Sequence, residues 1–203
     1  MRIKSHLSTF VLAMLAWLTG CVSPFYSTAK IERGLTVNAG LSLAAYHVPI
    51  TAGPSYSIGV RGDAAAGYGF SSYLRLNARA SLGLGTQFSG MHYPFFADGA
   101  VGAQTAASLG AITPALHVEL SGYLGEITLS PALLLGIGRK EYLTFGARMH
   151  AHDFWHGWDP VAVDAFACVH LSPRWSIFAG VEIFYLTYAP AVTLGAGYNV
   201  AFK

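Results

Sequence analysis

The chain has 203 residues, 53 % of them hydrophobic and only 11 % charged, with 12 Lys and Arg against 10 Asp and Glu. A water-exposed surface carries ~25–35 % charged residues, so this composition argues against a soluble protein, and no basic excess exists to attract nucleic acid. Two cysteines, Cys21 and Cys168, are too few for a disulfide-stapled scaffold.

In chain order, the first element is a leader. Arg2 and Lys4 precede an apolar run from Leu7 to Leu18, shorter than the ~20 residues of a spanning helix but suited to a secretory signal. The next residues, Leu18-Thr19-Gly20-Cys21, resemble the bacterial lipobox. The resemblance implies that 1–20 is a lipoprotein signal peptide and that cleavage leaves a diacylated Cys21 at the head of a linker, 21–33. Two acyl chains give stable anchoring. Residue 22 is Val, not Asp, which in this class implies transfer to the outer membrane. An ordinary signal peptide with a chance cysteine at its cleavage site is the alternative. Removing 1–20 takes away Arg2 and Lys4, so ten basic residues face ten acidic ones. Lipidation also leaves Cys168 without an intrachain partner.

From residue 34 onward, apolar and small or polar residues alternate with period two, the signature of strands. In "YLRLNARASLGL", Leu74, Leu76, Ala78, Ala80, Leu82 and Leu84 share one face, while Arg75, Asn77, Arg79, Ser81 and Gly83 share the other. The pattern predicts ten strands, near 34–46, 55–69, 72–85, 96–109, 113–124, 126–138, 140–151, 161–171, 174–187 and 190–202. Eight is the alternative. Pro131 lacks a ladder donor and predicts a bulge or a shortened sixth strand. Short turns follow the even strands ("FSS", "GRK", "SPR"), and three longer loops, 47–54, 86–95 and 151–160, follow odd ones.

The charges fall on the small face: Arg61, Asp63, Arg75, Arg79, Asp98, His117, Glu119, Glu126, Arg148, Asp164, His170 and Glu182. The apolar face has charge mainly at one strand end, Glu141. Because the polar face is rich in Gly, Ala and Ser, it suits the crowded interior of a narrow barrel. Apolar side chains then meet lipid. The pattern over 34–203 resembles the small bacterial outer-membrane β-barrels: all-β, a single up-and-down antiparallel transmembrane barrel in the Gram-negative envelope. That resemblance implies periplasmic short turns and chain ends, outward loops, and outer-membrane lipid and the barrel-insertion machinery as partners. Many such chains end on an aromatic residue, whereas Lys203 follows Phe202 here.

A ten-stranded lumen lies near the limit at which side chains fill it. Arg61, Asp63, Arg75, Arg79, Asp98, Glu119, Arg148, Asp164 and Glu182 are therefore expected to form an interior charge network, since buried charges need partners. Weak metal candidates are His150, His152, Asp153 and His156 in "MHAHDFWHGWDP", whose imidazoles and carboxylate are zinc or copper ligand types. His117, Glu119 and Ser121 superficially suggest a hydrolase. Strand neighbours two apart lie ~6–7 Å apart, however, beyond the ~2.6–3.2 Å that a nucleophile and base require. The glycine-rich stretches lack the Lys-Ser/Thr ending and following helix of a phosphate loop. No cofactor or catalytic residue is expected. The reading is a non-enzymatic envelope barrel with a structural or surface-interaction role. A narrow channel, a lipid- or small-ligand-binding barrel, and a lipid-modifying enzyme are the alternatives.

Overall fold

The computed structural model describes residues 24–50, 53–87, 95–123, 126–152, 159–184 and 190–202. Ten strands follow one another: β1 Gly34–Ile50, β2 Gly53–Gly69, β3 Leu74–Gln87, β4 Phe95–Ala106, β5 Ile112–Tyr123, β6 Glu126–Ile137, β7 Leu143–His152, β8 Asp159–His170, β9 Trp175–Phe184 and β10 Pro190–Phe202. Each pairs antiparallel with its sequence neighbours, and β1 closes on β10, from Leu35 opposite Phe202 to Tyr46 opposite Ala191. The chain is a closed ten-stranded up-and-down barrel. Closure leaves no unpaired edge.

Alternation sorts the two faces. Along β3, Leu74, Leu76, Leu82 and Leu84 are exposed on the outside, whereas Arg75 and Ser81 are buried in the lumen. Along β10, Val192 and Leu194 point out and Thr193 points in. The outer wall is thus aliphatic and the charge lies within. At the rim that carries the turns after even strands, the exposed apolar residues include six aromatics, Tyr68, Phe70, Tyr73, Tyr142, Trp175 and Phe202, beside Leu109 and Leu171.

That rim is tightly built. The Ser71 hydroxyl accepts N–H bonds from Tyr73 and Leu74, and Ser172 does the same for Arg174 and Trp175. Each serine supplies an acceptor that the turn backbone lacks. Between β6 and β7, Glu141 adopts a left-handed φ of 49°, and its N–H reaches the Gly138 carbonyl at 2.8 Å.

Four sequence expectations change. The stretch 47–54 is not a long loop: β1 and β2 run on, with His47 opposite Tyr56, Pro49 opposite Pro54 and Ile50 opposite Gly53. Prolines are tolerated where no ladder donor is needed. Pro131 neither bulges nor shortens β6. It sits opposite Val118 of β5, while pairing with β7 skips Ser130 and Pro131 and resumes in the same register. The register shift falls instead on β7, between His150 and Ala151. Glu141 is not an outward strand residue; its left-handed backbone turns it into the barrel, where it is 2 % exposed. Finally, residues 24–33 are no free linker. They enter the lumen. The stretches 88–94 and 153–158, the central parts of the other two loops, lie outside the described residues.

Candidate functional site

The lumen holds two charge clusters and a strap of chain. The first cluster spans β2 to β5. Asp98 accepts from Arg61 at 2.9 Å and from Arg79 at 2.6 Å, and Arg79 also reaches Glu119 at 2.7 Å. Ser81 donates to Asp63 at 2.7 Å and accepts from Arg61 at 2.6 Å, and the Arg61 Nε also meets Asp63. The register explains the gathering. Ser81 is directly opposite both Asp63 and Asp98, and Gly102 opposite Glu119 leaves room for the His117 imidazole, whose Nε2 would lie 3.0 Å from a Cβ there.

The second cluster spans β6 to β9. Cross-strand pairing sets Arg148 opposite Asp164, and Asp164 opposite Glu182. Two carboxylates facing each other repel unless cations intervene. Arg148 donates two bonds to Asp164 Oδ2, at 2.7 and 2.9 Å. His150 lies 3.1 Å from Asp164 and 3.8 Å from Glu182, with its Nδ1 2.9 Å from the Ser130 hydroxyl.

Both clusters are buried, so their charges are compensated by one another rather than by water. Arg75, also in the charge list from sequence, joins neither cluster. Its guanidinium reaches Gln104 at 2.6 Å and the Thr28 carbonyl at 3.1 Å. The Glu126 side chain lies outside the described residues. His170 is half-buried, its Nε2 2.9 Å from the Thr144 hydroxyl.

The His150, Asp164 and Glu182 ligand atoms lie within 4.8 Å of one another, close enough to suggest a metal site. The donor set argues otherwise. Asp164 Oδ2 already takes both guanidinium hydrogen bonds, and a divalent ion beside Arg148 would meet a fixed positive charge. Of the sequence-derived metal candidates, only His150 has a described side chain, and it faces the lumen. The His152 side chain, Asp153 and His156 lie outside the described residues. In the superficial hydrolase set, His117 Nε2 lies 3.9 Å from Glu119, but each residue has its own partner. Ser121 pairs with Thr128 at 2.9 Å, His117 with Asn77 at 3.1 Å, and Glu119 with Arg79.

The strap, residues 24–33, was not legible as a lumen element. It enters at the turn rim and climbs inward. Glu141 anchors its base: one carboxylate oxygen accepts the Ala29 N–H and the Thr144 hydroxyl, and the other accepts the Lys30 N–H at 2.6 Å. Burial pushes the Glu141 carboxyl above its usual range, against the lowering pull of the Thr144 hydroxyl and the two backbone N–H groups. Opposite, Gln104 donates to the Ala29 carbonyl at 2.7 Å and to the Thr28 carbonyl at 3.2 Å. Higher up, Asn38 donates to Ser27 at 2.6 Å, and the Tyr26 carbonyl accepts from Ser176 at 3.3 Å.

The aromatic tip is equally fitted. The Tyr26 ring lies edge-on to Phe178 at 6.1 Å, and Phe25 sits 5.8 Å from Phe166 and 5.7 Å from the His117 imidazole. A side chain at Gly197 would meet three atoms of Tyr26 at 2.5–2.9 Å, so glycine there makes the flat bed for the ring. Tyr26, Ala29, Cys168, Phe166 and Phe178 form one buried apolar cluster inside an otherwise polar lumen. The sequence holds one faint signal of this. "PFYSTAKIERG" carries two adjacent aromatics that a solvated linker does not need, and glycines cluster on the inner faces of β1 and β10.

Neither a protein-family model nor a curated protein matches the chain. Among solved structures it is similar to the translocator domain of the autotransporter NalP from Neisseria meningitidis, at 11 % identity and a TM-score of 0.46 over 98 % of this chain and 97 % of that one. It is also similar to Neisserial surface protein A, at 15 % identity and 0.40 over 83 % and 97 %. A third is the KdgM porin in complex with disordered oligogalacturonate, at 12 % identity and 0.42 over 83 % and 99 %. At these identities and scores the likeness is one of barrel shape.

Proposed function

We propose that this chain is a non-enzymatic outer-membrane β-barrel lipoprotein of the bacterial envelope, anchored through Cys21, with a structural or surface-interaction role. One observation carries the membrane reading: the described outer wall is aliphatic, while the strand charges lie in the lumen. In water such a wall would be one continuous apolar patch, far beyond what a soluble monomer exposes. In a bilayer the same wall is the solvent-matched face. The aromatic ring at the turn rim, from Tyr68 through Trp175 to Phe202, suits a membrane–water interface. On this reading the turn rim faces the periplasm and the loops face outward.

A lumen occupied by ion pairs and a docked strap suits a closed barrel that braces the envelope or presents loops. The test is fractionation of cells making the chain, followed by purification in detergent. An envelope barrel stays with the outer membrane after carbonate extraction, has a β spectrum and migrates faster in detergent gels before boiling than after. Release into the soluble fraction would defeat the membrane reading. Proteolysis of intact cells tests the orientation, and cleavage confined to disrupted cells would overturn outward-facing loops.

A further inference from the structure

The lumen wall around the strap is shaped to receive a peptide. Four wall side chains address the strap through its backbone. Glu141, in the β6–β7 turn, accepts the Ala29 and Lys30 N–H groups. Gln104 of β4 donates to the Thr28 and Ala29 carbonyls, Arg75 of β3 to the Thr28 carbonyl, and Ser176 of β9 to the Tyr26 carbonyl. Main-chain groups of this kind must be paired when buried, and contacts to them supply affinity while pockets supply sequence preference. Two places on the wall read sequence. A Cβ at Gly40, Gly195 or Gly197 would run into the Tyr26 side chain, so three glycines of β1 and β10 mould a phenol-shaped pocket. Phe178 stands edge-on to the ring at 6.1 Å, and the Tyr26 hydroxyl donates to the Leu41 carbonyl at 3.3 Å. Three residues on, Ala29 is fully buried, which admits only a small side chain. The strap leaves part of this surface unanswered. A cavity of about 40 Å³ lies against Phe25, and on its lining Arg75 Nε and Asn77 Oδ1 are buried without a partner among the described residues.

We infer that this part of the lumen is a peptide-binding site selective for Tyr-x-x-Ala, and that residues 24–33 occupy it in cis. All ten strands are paired around the closed barrel, so the site is preformed and a free peptide of that pattern meets the same groups. Hydrogen bonds and ring contacts hold the strap inside, and its tether at Gly34 keeps its local concentration high. A competing segment enters where it outweighs that tether. The site depends neither on acylation of Cys21 nor on the envelope location.

The probe is a synthetic peptide of residues 24–33 with a fluorophore after Arg33. It is titrated in detergent into the full chain, and into the full chain with Phe25→Ala and Tyr26→Ala, whose strap lacks its anchors and whose wall is intact. Fluorescence anisotropy should show saturable binding to the double variant. Binding to the unaltered chain should be about tenfold weaker or more, because the tethered strap competes. Adding Gln104→Ala to the double variant, or Tyr26→Ala or Ala29→Leu to the peptide, should each weaken binding by about tenfold. Equal binding by the altered and unaltered chains, or by a scrambled peptide, would put the peptide elsewhere and overturn the site. Absence of binding to a double variant with a β spectrum would overturn it too. Should the double variant not fold, a full chain with a protease site inserted between Arg33 and Gly34 is folded first and then cut. Labelled peptide is expected to enter after cutting, and a cut chain that takes up none would refute the exchange.

Discussion

The Glu141 carboxylate accepts the backbone N–H of Ala29, a residue 112 positions earlier in the chain. With the Lys30 N–H on its other oxygen, one turn residue holds two consecutive N–H groups at the base of the strap, opposite Gln104 on the Ala29 carbonyl. This relationship exists because a left-handed backbone at Glu141 turns its carboxyl inward, and because Gly136 leaves it room. A Cβ at Gly136 would stand 2.5 Å from that carboxyl carbon.

Replacing Glu141 with Ala should free the strap without unfolding the barrel, since no strand pair depends on it. One buried and one part-buried N–H group lose their acceptor, a cost of about 2 kcal/mol. Native Cys168, fully buried in the strap's apolar cluster, reports the loss. In a Cys21→Ala chain, alkylation of Cys168 in the folded barrel should be about 30-fold faster with Glu141→Ala, which is the same energy expressed as a population. Equal rates would show that Glu141 does not hold the strap.

Gly197→Ala should act first through Tyr26, because the three nearest atoms to the added methyl are all Tyr26 atoms. Thermal loss of the compact gel form should shift to lower temperature in the single variant, reflecting about 1–3 kcal/mol of overpacking. Tyr26→Ala combined with Gly197→Ala should show no further loss beyond Tyr26→Ala. Additive losses would place the strain elsewhere.

The outer wall allows a depth test. Leu82 lies mid-strand in β3 and Leu74 at its rim end, both exposed. Leu82→Arg should destabilise the barrel in lipid vesicles by about 2–4 kcal/mol, and Leu74→Arg by about 0–1 kcal/mol. Denaturant titration in vesicles measures both. Equal costs at the two depths would argue against a bilayer around β3.

In the first charge cluster, Arg79 bridges Asp98 and Glu119. Arg79→Met strands Glu119 in the lumen and should cost about 3–5 kcal/mol, because an uncompensated buried charge remains. Adding Glu119→Gln should recover much of that loss, and the difference is the coupling energy of the pair. Full additivity of the two changes would mean that the pair does not interact.

The strand number and inside–outside sorting were legible from residue 34 onward because strand periodicity is local. Leu74, Leu76, Leu82 and Leu84 declare one face and Arg75, Asn77 and Arg79 the other, whatever the rest of the chain does. The small residues on the charged face also indicated a narrow lumen. Pro131 misled because a ladder donor missing on one side need not break the pairing on the other. The stretch 47–54 misled because loop-like residues can be carried by an already formed hairpin.

By itself, then, the sequence determined alternating strands with charge on one face and grease on the other, ten or eight in number, since period-two alternation needs only nearest neighbours along the chain. Only the tertiary structure decided what fills the lumen. Which charges meet depends on closure and register, which set Arg148 opposite Asp164 and Asp164 opposite Glu182. The strap depends on still longer reach: Glu141, Gln104 and Phe178 converge on residues 26–30 only after ten strands have wrapped round them, and no local pattern in "PFYSTAKIERG" encodes that enclosure.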